Sequence, residues 1–292
     1  MNAKRTLLAA SILSVYSGIS SADIIVGTDL NSSAGNNDII NEFYAGNRGT
    51  NGGGDQSLQF GDQLYGTRYA DVIIGGLGID ILFGNAGDDV LIGGTEDFNS
   101  ANRDRAFGND GDDVFIWAPG DGNDFFDGGA GTDVLILGLV GESQDDDGST
   151  EGAPFFNVTP PSEAGSKNFD GIYINPTTYL PVVDVVNGPG FCEVLDDATT
   201  GLSELNLDHL VRFTLKGPAD VFDETLALEP SIDPNTLDTG LRVAVHLTNT
   251  EFVVCASREG GDIDVFDLRN SPITKTTTDY LPASAYALFQ VQ

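Results

Sequence analysis

Basic residues are scarce in this 292-residue chain: 13 Lys plus Arg stand against 45 Asp plus Glu, giving a formal charge of -32. That balance repels nucleic acid and anionic membrane surfaces and makes cations the natural partners. Histidine occurs only at His209 and His246, and the sequence contains neither the H-E-x-x-H of zinc proteases nor the G-x-S-x-G of serine hydrolases. Both histidines sit beside or within strand-like runs and read as structural, so no catalytic residue is assigned. Acidic residues are too numerous for any pair to be singled out as a glycosidase acid and base, and Asp196-Asp197 reads as a solvated turn. No apolar run reaches the roughly 20 residues of a membrane span. Cysteine is confined to Cys192 and Cys255, for which a disulfide is the simplest reading and two buried thiols the alternative.

What is present begins with an export-type N-terminus. Lys4 and Arg5 precede an apolar run from Leu7 to about Ile19, and Ser20-Ser21-Ala22 supplies a small-residue cleavage site that leaves Asp23 first. Residues 1–22 therefore read as a signal peptide, with a secreted or extracellular destination, or the periplasm, for the remainder. Hydrophobic residues make up 40% of the chain, enough for buried cores. Glycine, 37 residues in all, is concentrated between Gly27 and Gly141, which divides the chain into two architectures.

Aligned at a period of nine, the glycine-rich half repeats itself. Gly75-Gly76-Leu77-Gly78-Ile79-Asp80-Ile81-Leu82-Phe83 is followed by Gly84-Asn85-Ala86-Gly87-Asp88-Asp89-Val90-Leu91-Ile92. Gly108-Asn109-Asp110-Gly111-Asp112-Asp113-Val114-Phe115-Ile116 and Gly128-Gly129-Ala130-Gly131-Thr132-Asp133-Val134-Leu135-Ile136 keep the pattern. Weaker copies place their eighth residue at Leu64, Ile73, Ala106 and Phe126, and the sixth position is aspartate throughout: Asp62, Asp71, Asp80, Asp89, Asp104, Asp113, Asp124 and Asp133.

This pattern over roughly residues 57–137 resembles the RTX (repeats-in-toxin) family of haemolysin-type calcium-binding nonapeptides. The resemblance implies a parallel β-roll in which two nonapeptides make one coil. Asp62, Asp80, Asp104 and Asp124 then form one ladder, and Asp71, Asp89, Asp113 and Asp133 the other. Glycines such as Gly76, Gly78, Gly87, Gly111, Gly129 and Gly131 turn the chain sharply and supply carbonyl oxygens. Calcium takes about six to eight oxygen ligands in tolerant geometry, so carbonyls and carboxylates suit it. One ion between successive rungs of each ladder gives roughly six Ca2+ ions. Carboxylates about 5 Å apart repel by roughly 3 kcal/mol at an effective dielectric near 20, so the roll is expected to close only with metal. An insertion between Gly94 and Asp104 is expected to disturb the turn of Asp104.

In even-numbered repeats, positions seven and nine are Val72 and Ile74, Val90 and Ile92, Val114 and Ile116, Val134 and Ile136, without one polar residue. A parallel strand apolar on both faces is normally buried on both, so this sheet is expected to be covered by the C-terminal part or by a second copy.

The expected class is thus all-β: a cap at 23–56, the roll at 57–140, a linker or long loop at 141–167 and a β-rich, sandwich-like domain at 168–292. Strands are expected at 171–174, 179–186, 210–215, 241–247, 251–255, 264–268 and 286–291, and helix is left open around 220–227. The leading expectation for function is a non-catalytic secreted calcium-binding protein of an extracellular matrix, surface layer or adhesion system. A polysaccharide-directed enzyme or glycan-binding protein acting through the C-terminal domain is the alternative, and a calcium-dependent subunit of a larger complex a third. Calcium is the expected ligand, and an extracellular glycan or surface protein the candidate partner.

Overall fold

The computed structural model describes residues 24–26, 63–75, 79–93, 103–118, 122–140, 167–169, 172–175, 178–181, 183–186, 190–196, 202, 206–215, 242–258 and 261–288. The signal segment, nearly all of the expected cap, Asp62, Gly76, Gly78, most of the expected linker and residues 220–227 lie outside them.

Strands follow positions seven to nine of each repeat, where alternating β-branched and aromatic residues suit a pleated surface. β2 (Gln63–Tyr65), β4 (Ile81–Ala86), β6 (Arg105–Asp110) and β8 (Phe125–Ala130) stack in parallel in one sheet. β1 (Ile24–Val26), β3 (Val72–Ile74), β5 (Val90–Ile92), β7 (Val114–Trp117) and β9 (Val134–Leu137) stack in parallel in the other. Eighth-position side chains meet between the two. Leu64, Ile73, Leu82, Leu91, Ala106, Phe115, Phe126 and Leu135 are each at most 2% exposed and belong to one cluster, with the Phe115 and Phe126 rings stacked at 5.4 Å. Burial of a side chain of this size stabilises by roughly 1.5 to 3 kcal/mol.

Most described strands of the C-terminal half join the two sheets of the roll instead of building a sheet pair apart from it. β16 (Arg242–Thr248) pairs in parallel with β8, and β15 (His209–Leu215) and β14 (Gly190–Asp196) follow it antiparallel. On the other side β17 (Phe252–Ala256) pairs in parallel with β9, and β18 (Ile263–Asp267) and β19 (Thr274–Thr276) follow. The sandwich-like facing of sheets is therefore present, but the sheets are the roll's own, continued. Val211, Phe213, Val245, Leu247 and Val253 extend the same core. Cys192 on β14 and Cys255 on β17 form a disulfide that staples the two sheets together.

Outward residues of the two sheets differ as the sequence anticipates. Val72, Ile74, Val90, Ile92, Val114, Ile116, Val134 and Ile136 are at most 2% exposed and share a second cluster with Val140, Val183, Val185, Leu281, Ala285 and Leu288. β10 (Leu139–Val140) and β13 (Val183–Asp184), paired antiparallel, and the helix α1 (Ala283–Leu288) belong to this cover. The opposite sheet instead carries a row of stacked rings, Tyr65 on Phe83 at 5.0 Å and Phe83 on Phe107 at 5.1 Å, with Tyr65 half exposed.

Several local expectations are corrected. The strand expected at 286–291 is absent among the described residues, and 283–288 is helical instead. Three alanines of high helix propensity follow Pro282, which suits a helix start. Among the described residues of 179–186 the only strand is the two-residue β13, and Tyr179 adopts a positive φ of 60°. Asp196 ends β14, paired with His209, and is not in a turn. β14, β19, β10 and β11 (Lys167–Phe169), the last paired with β12 (Ile172–Ile174), were not anticipated as strands.

Candidate metal centre along the repeat turns

Each sixth-position aspartate immediately precedes an inner strand, so the register that stacks the strands also stacks the carboxylates. Asp71, Asp80, Asp89, Asp104, Asp113, Asp124 and Asp133 are all at most 1% exposed. They are joined rung to rung by one repeated bond. Asp71 N–H donates to Asp89 Oδ1 at 2.7 Å, Asp89 N–H to Asp113 Oδ1 at 2.8 Å, and Asp113 N–H to Asp133 Oδ1 at 2.8 Å. In the second ladder Asp80 N–H donates to Asp104 Oδ1 at 2.7 Å and Asp104 N–H to Asp124 Oδ1 at 2.9 Å. The insertion after Gly94 does not disturb Asp104, because β4 and β6 keep their register, Ile81 beside Arg105.

One oxygen of each carboxylate is thereby fixed, and the other is left facing the turn. The buried Oδ2 atoms of Asp89, Asp113, Asp124 and Asp133 accept no hydrogen bond. Asp71 is different: its Oδ2 takes the Thr67 N–H at 2.5 Å and the Thr67 hydroxyl at 2.9 Å. Thr67 stands where the regular repeats have a second glycine or an asparagine, and this turn closes on itself through protein groups.

The turns owe their shape to two kinds of glycine requirement. Positions two and four need positive φ, at Asn85 (75°), Asn109 (75°) and Gly129 (100°), then Gly87 (120°), Gly111 (149°) and Gly131 (154°). Position one needs space instead. A Cβ on Gly75 would lie 2.6 Å from Asp80 Oδ2 and would also strike the Gly93 carbonyl oxygen; one on Gly108 would strike Asp113 Oδ2 and the Gly128 carbonyl. A carboxylate oxygen and a carbonyl oxygen of the next rung thus converge at each of these glycines.

Burial alone makes such a ladder unfavourable as free anions. Desolvation, reinforced by neighbouring carboxylates, pushes Asp89 up to about 9, Asp113 to about 7 and Asp133 to about 8, each against one opposing backbone hydrogen bond. Asp124 is raised too, by burial and by Asp104. Asp88 and Asp112 form an outer row beside the first ladder, with Asp112 N–H donating to Asp88 Oδ1 at 3.0 Å.

Among the described residues no three His, Cys, Asp or Glu side chains gather as a metal cluster. A cation here would have to draw its remaining ligands from backbone carbonyls. Hard oxygens from stacked turns, with buried acceptor atoms lacking donors, fit calcium and not zinc, which favours nitrogen and sulfur.

Of the sequence-predicted residues, the structure stacks Asp71, Asp89, Asp113 and Asp133 in one ladder and Asp80, Asp104 and Asp124 in the other, with Gly87, Gly111, Gly129 and Gly131 in the turns of the first. Sequence reasoning missed Glu251, whose Oε2 accepts the Asp133 N–H at 2.7 Å. The signal was present: Thr250-Glu251-Phe252-Val253-Val254 mirrors Thr132-Asp133-Val134-Leu135-Ile136. His209 and His246 lie on adjacent strands, β15 and β16, and burial lowers the His246 imidazole below its usual range.

Residues 65–97 and 120–139 match the model of the RTX calcium-binding nonapeptide repeat, in four copies. The turn at 108–113, between the two matched stretches, is in register with its neighbours and carries the same bonds. No curated protein and no solved structure matches the chain. The chain carries RTX calcium-binding nonapeptide repeats, folded as a parallel β-roll.

Proposed function

We propose that the protein is exported and that calcium completes its fold, the roll serving as a metal-dependent scaffold in an extracellular matrix, surface layer or adhesion system without catalysis of its own. The observation that carries this reading is the set of buried second oxygens on Asp89, Asp113, Asp124 and Asp133, each lacking a donor. Burying such an acceptor without a partner costs about 1 to 3 kcal/mol, more for a charged group, and a divalent cation reverses the sign. Export is supported by Lys4, Arg5, the apolar run that follows and Ser20-Ser21-Ala22, and by calcium being a ligand suited to extracellular concentrations.

Metal counting after exhaustive dialysis against calcium tests the reading. About six calcium ions per chain are expected from one ion between successive rungs, with magnesium failing to substitute. A chain that retains none, or that binds magnesium equally, overturns it. Export is tested separately by N-terminal sequencing of protein released from the producing cell, which is expected to start at Asp23.

A further inference from the structure

The roll does not end at its last glycine-rich repeat. Leu247 lies beside Phe126 and Thr248 beside Asp127 in one sheet, while Phe252, Val253 and Val254 lie beside Val134, Leu135 and Ile136 in the other. Residues 246–254 therefore form one more rung of both sheets, reached after a long excursion of the chain. Where the preceding rung crosses between sheets through Gly128 to Asp133, this one crosses through Asn249, Thr250 and Glu251 alone. The Asn249 carbonyl takes the place over Gly128 that the Gly128 carbonyl takes over Gly108.

Glu251 occupies the position just before the strand, which belongs to aspartate in every repeat. Its Oε2 accepts the Asp133 N–H at 2.7 Å, the same bond by which Asp133 Oδ1 holds Asp113. The extra methylene of glutamate gives the reach that a shortened turn requires. One observation points to a ligand here beyond two neighbouring acids. Asp133 is fully buried, and its Oδ2 has no hydrogen-bond partner. The nearby Arg269 guanidinium, whose charge also acts on Glu251, is held by Asp267 at 2.7 and 2.9 Å.

We propose that Glu251 is a calcium ligand: with Asp133 it binds a cation at the junction of the last repeat and the C-terminal strands, so the C-terminal half completes the final metal site of the roll. This rests on the calcium reading above. It assigns to a residue outside the repeats the part that a sixth-position aspartate plays within them. It also couples the two halves, because the cation at this junction touches both.

The full-length protein and Glu251→Gln are to be compared by calcium counting after dialysis. Glutamine keeps the length of the side chain and an oxygen for the Asp133 N–H, so the fold is retained while the charge is lost. The junction site adds one ion to the roughly six between the repeats, and E251Q is expected to bind one calcium fewer per chain than the parent. An unchanged count and affinity in E251Q, with the parent still binding calcium, overturns this inference and leaves the calcium reading standing, whereas a parent that binds none overturns both. A calcium-loaded crystal of the unaltered chain decides independently of any variant. An anomalous peak about 2.3 to 2.6 Å from a Glu251 oxygen supports the assignment, and peaks confined to the repeats overturn it.

Discussion

Asp113 Oδ1 accepts the backbone N–H of Asp89 at 2.8 Å, and the other oxygen of the same carboxylate is buried without a donor. One atom holds the neighbouring rung, and its twin is the oxygen proposed to meet the cation. The two roles separate by substitution. Asp113→Asn keeps an oxygen for the Asp89 amide but loses the charge, so calcium uptake falls at the adjoining rungs while the metal-free protein is little changed. Asp113→Ala loses both and costs roughly a further 1 to 3 kcal/mol, since the Asp89 N–H is then buried and unsatisfied. Urea denaturation with and without calcium measures the difference.

Because Asp104 stands in its ladder as regularly as Asp89 stands in the other, the two are expected to matter equally. Each is buried, and each accepts the amide of the preceding rung at 2.7 Å. Asp89→Asn and Asp104→Asn should lose the same number of ions in a metal count. A clearly smaller loss for Asp104→Asn would show that the insertion weakens its turn after all.

Acidity and calcium should act in opposite directions. Asp89, Asp113 and Asp133 rise to about 9, 7 and 8 in the metal-free fold, against an unfolded value near 3.9. The folded chain then binds more protons than the unfolded one. Their contribution is fully present below about pH 4 and is lost as the pH climbs through 7 to 9. In chelator the thermal midpoint is therefore higher at pH 5 than at pH 8. With calcium, which requires the ionised form, the order reverses and binding near pH 7 releases protons. Calorimetry in buffers of different ionisation enthalpy detects that release.

The first-position glycines are required for space and not for backbone angle. Gly108→Ala sets a methyl against Asp113 Oδ2 and the Gly128 carbonyl, with no positive φ involved. It should destabilise the calcium form by several kcal/mol, in the range of overpacked buried sites. Gly261→Ala, where nothing lies within 4 Å and only a φ of 77° is strained, should cost about 1 to 2 kcal/mol. Thermal melts of both variants in calcium give the ranking.

How much of this was legible follows from what each residue must satisfy alone. Among the described repeats the nine-residue period fixes the position of each sixth-position carboxylate and each inward side chain, because a turn with positive φ at two places and a strand with one buried face leave few alternatives. Hence Leu82, Phe115 and Asp89 lie where the repeat puts them. The bare aliphatic faces of Ile74, Ile92, Ile116 and Ile136 likewise foretold a cover. The C-terminal part was one of the two covers the sequence suggested, but which of its residues supply it was not readable, since Val183 and Leu288 meet those residues only through long-range packing. Glu251 escaped because its turn lacks glycine and its partner lies 118 residues away in sequence. Helix α1 was misread as a strand because a short run with two aromatic or aliphatic residues per turn satisfies both periods.

Amide exchange along the first ladder tests the central claim most directly. The N–H groups of Asp71, Asp89 and Asp113 are each held by a carboxylate whose burial calcium would stabilise. Measured by mass spectrometry or NMR on the full chain, these amides should be protected at least a hundredfold more with millimolar calcium than with chelator, about 2.7 kcal/mol of linkage. Equal protection in both conditions, across the three residues, would contradict a roll completed by calcium.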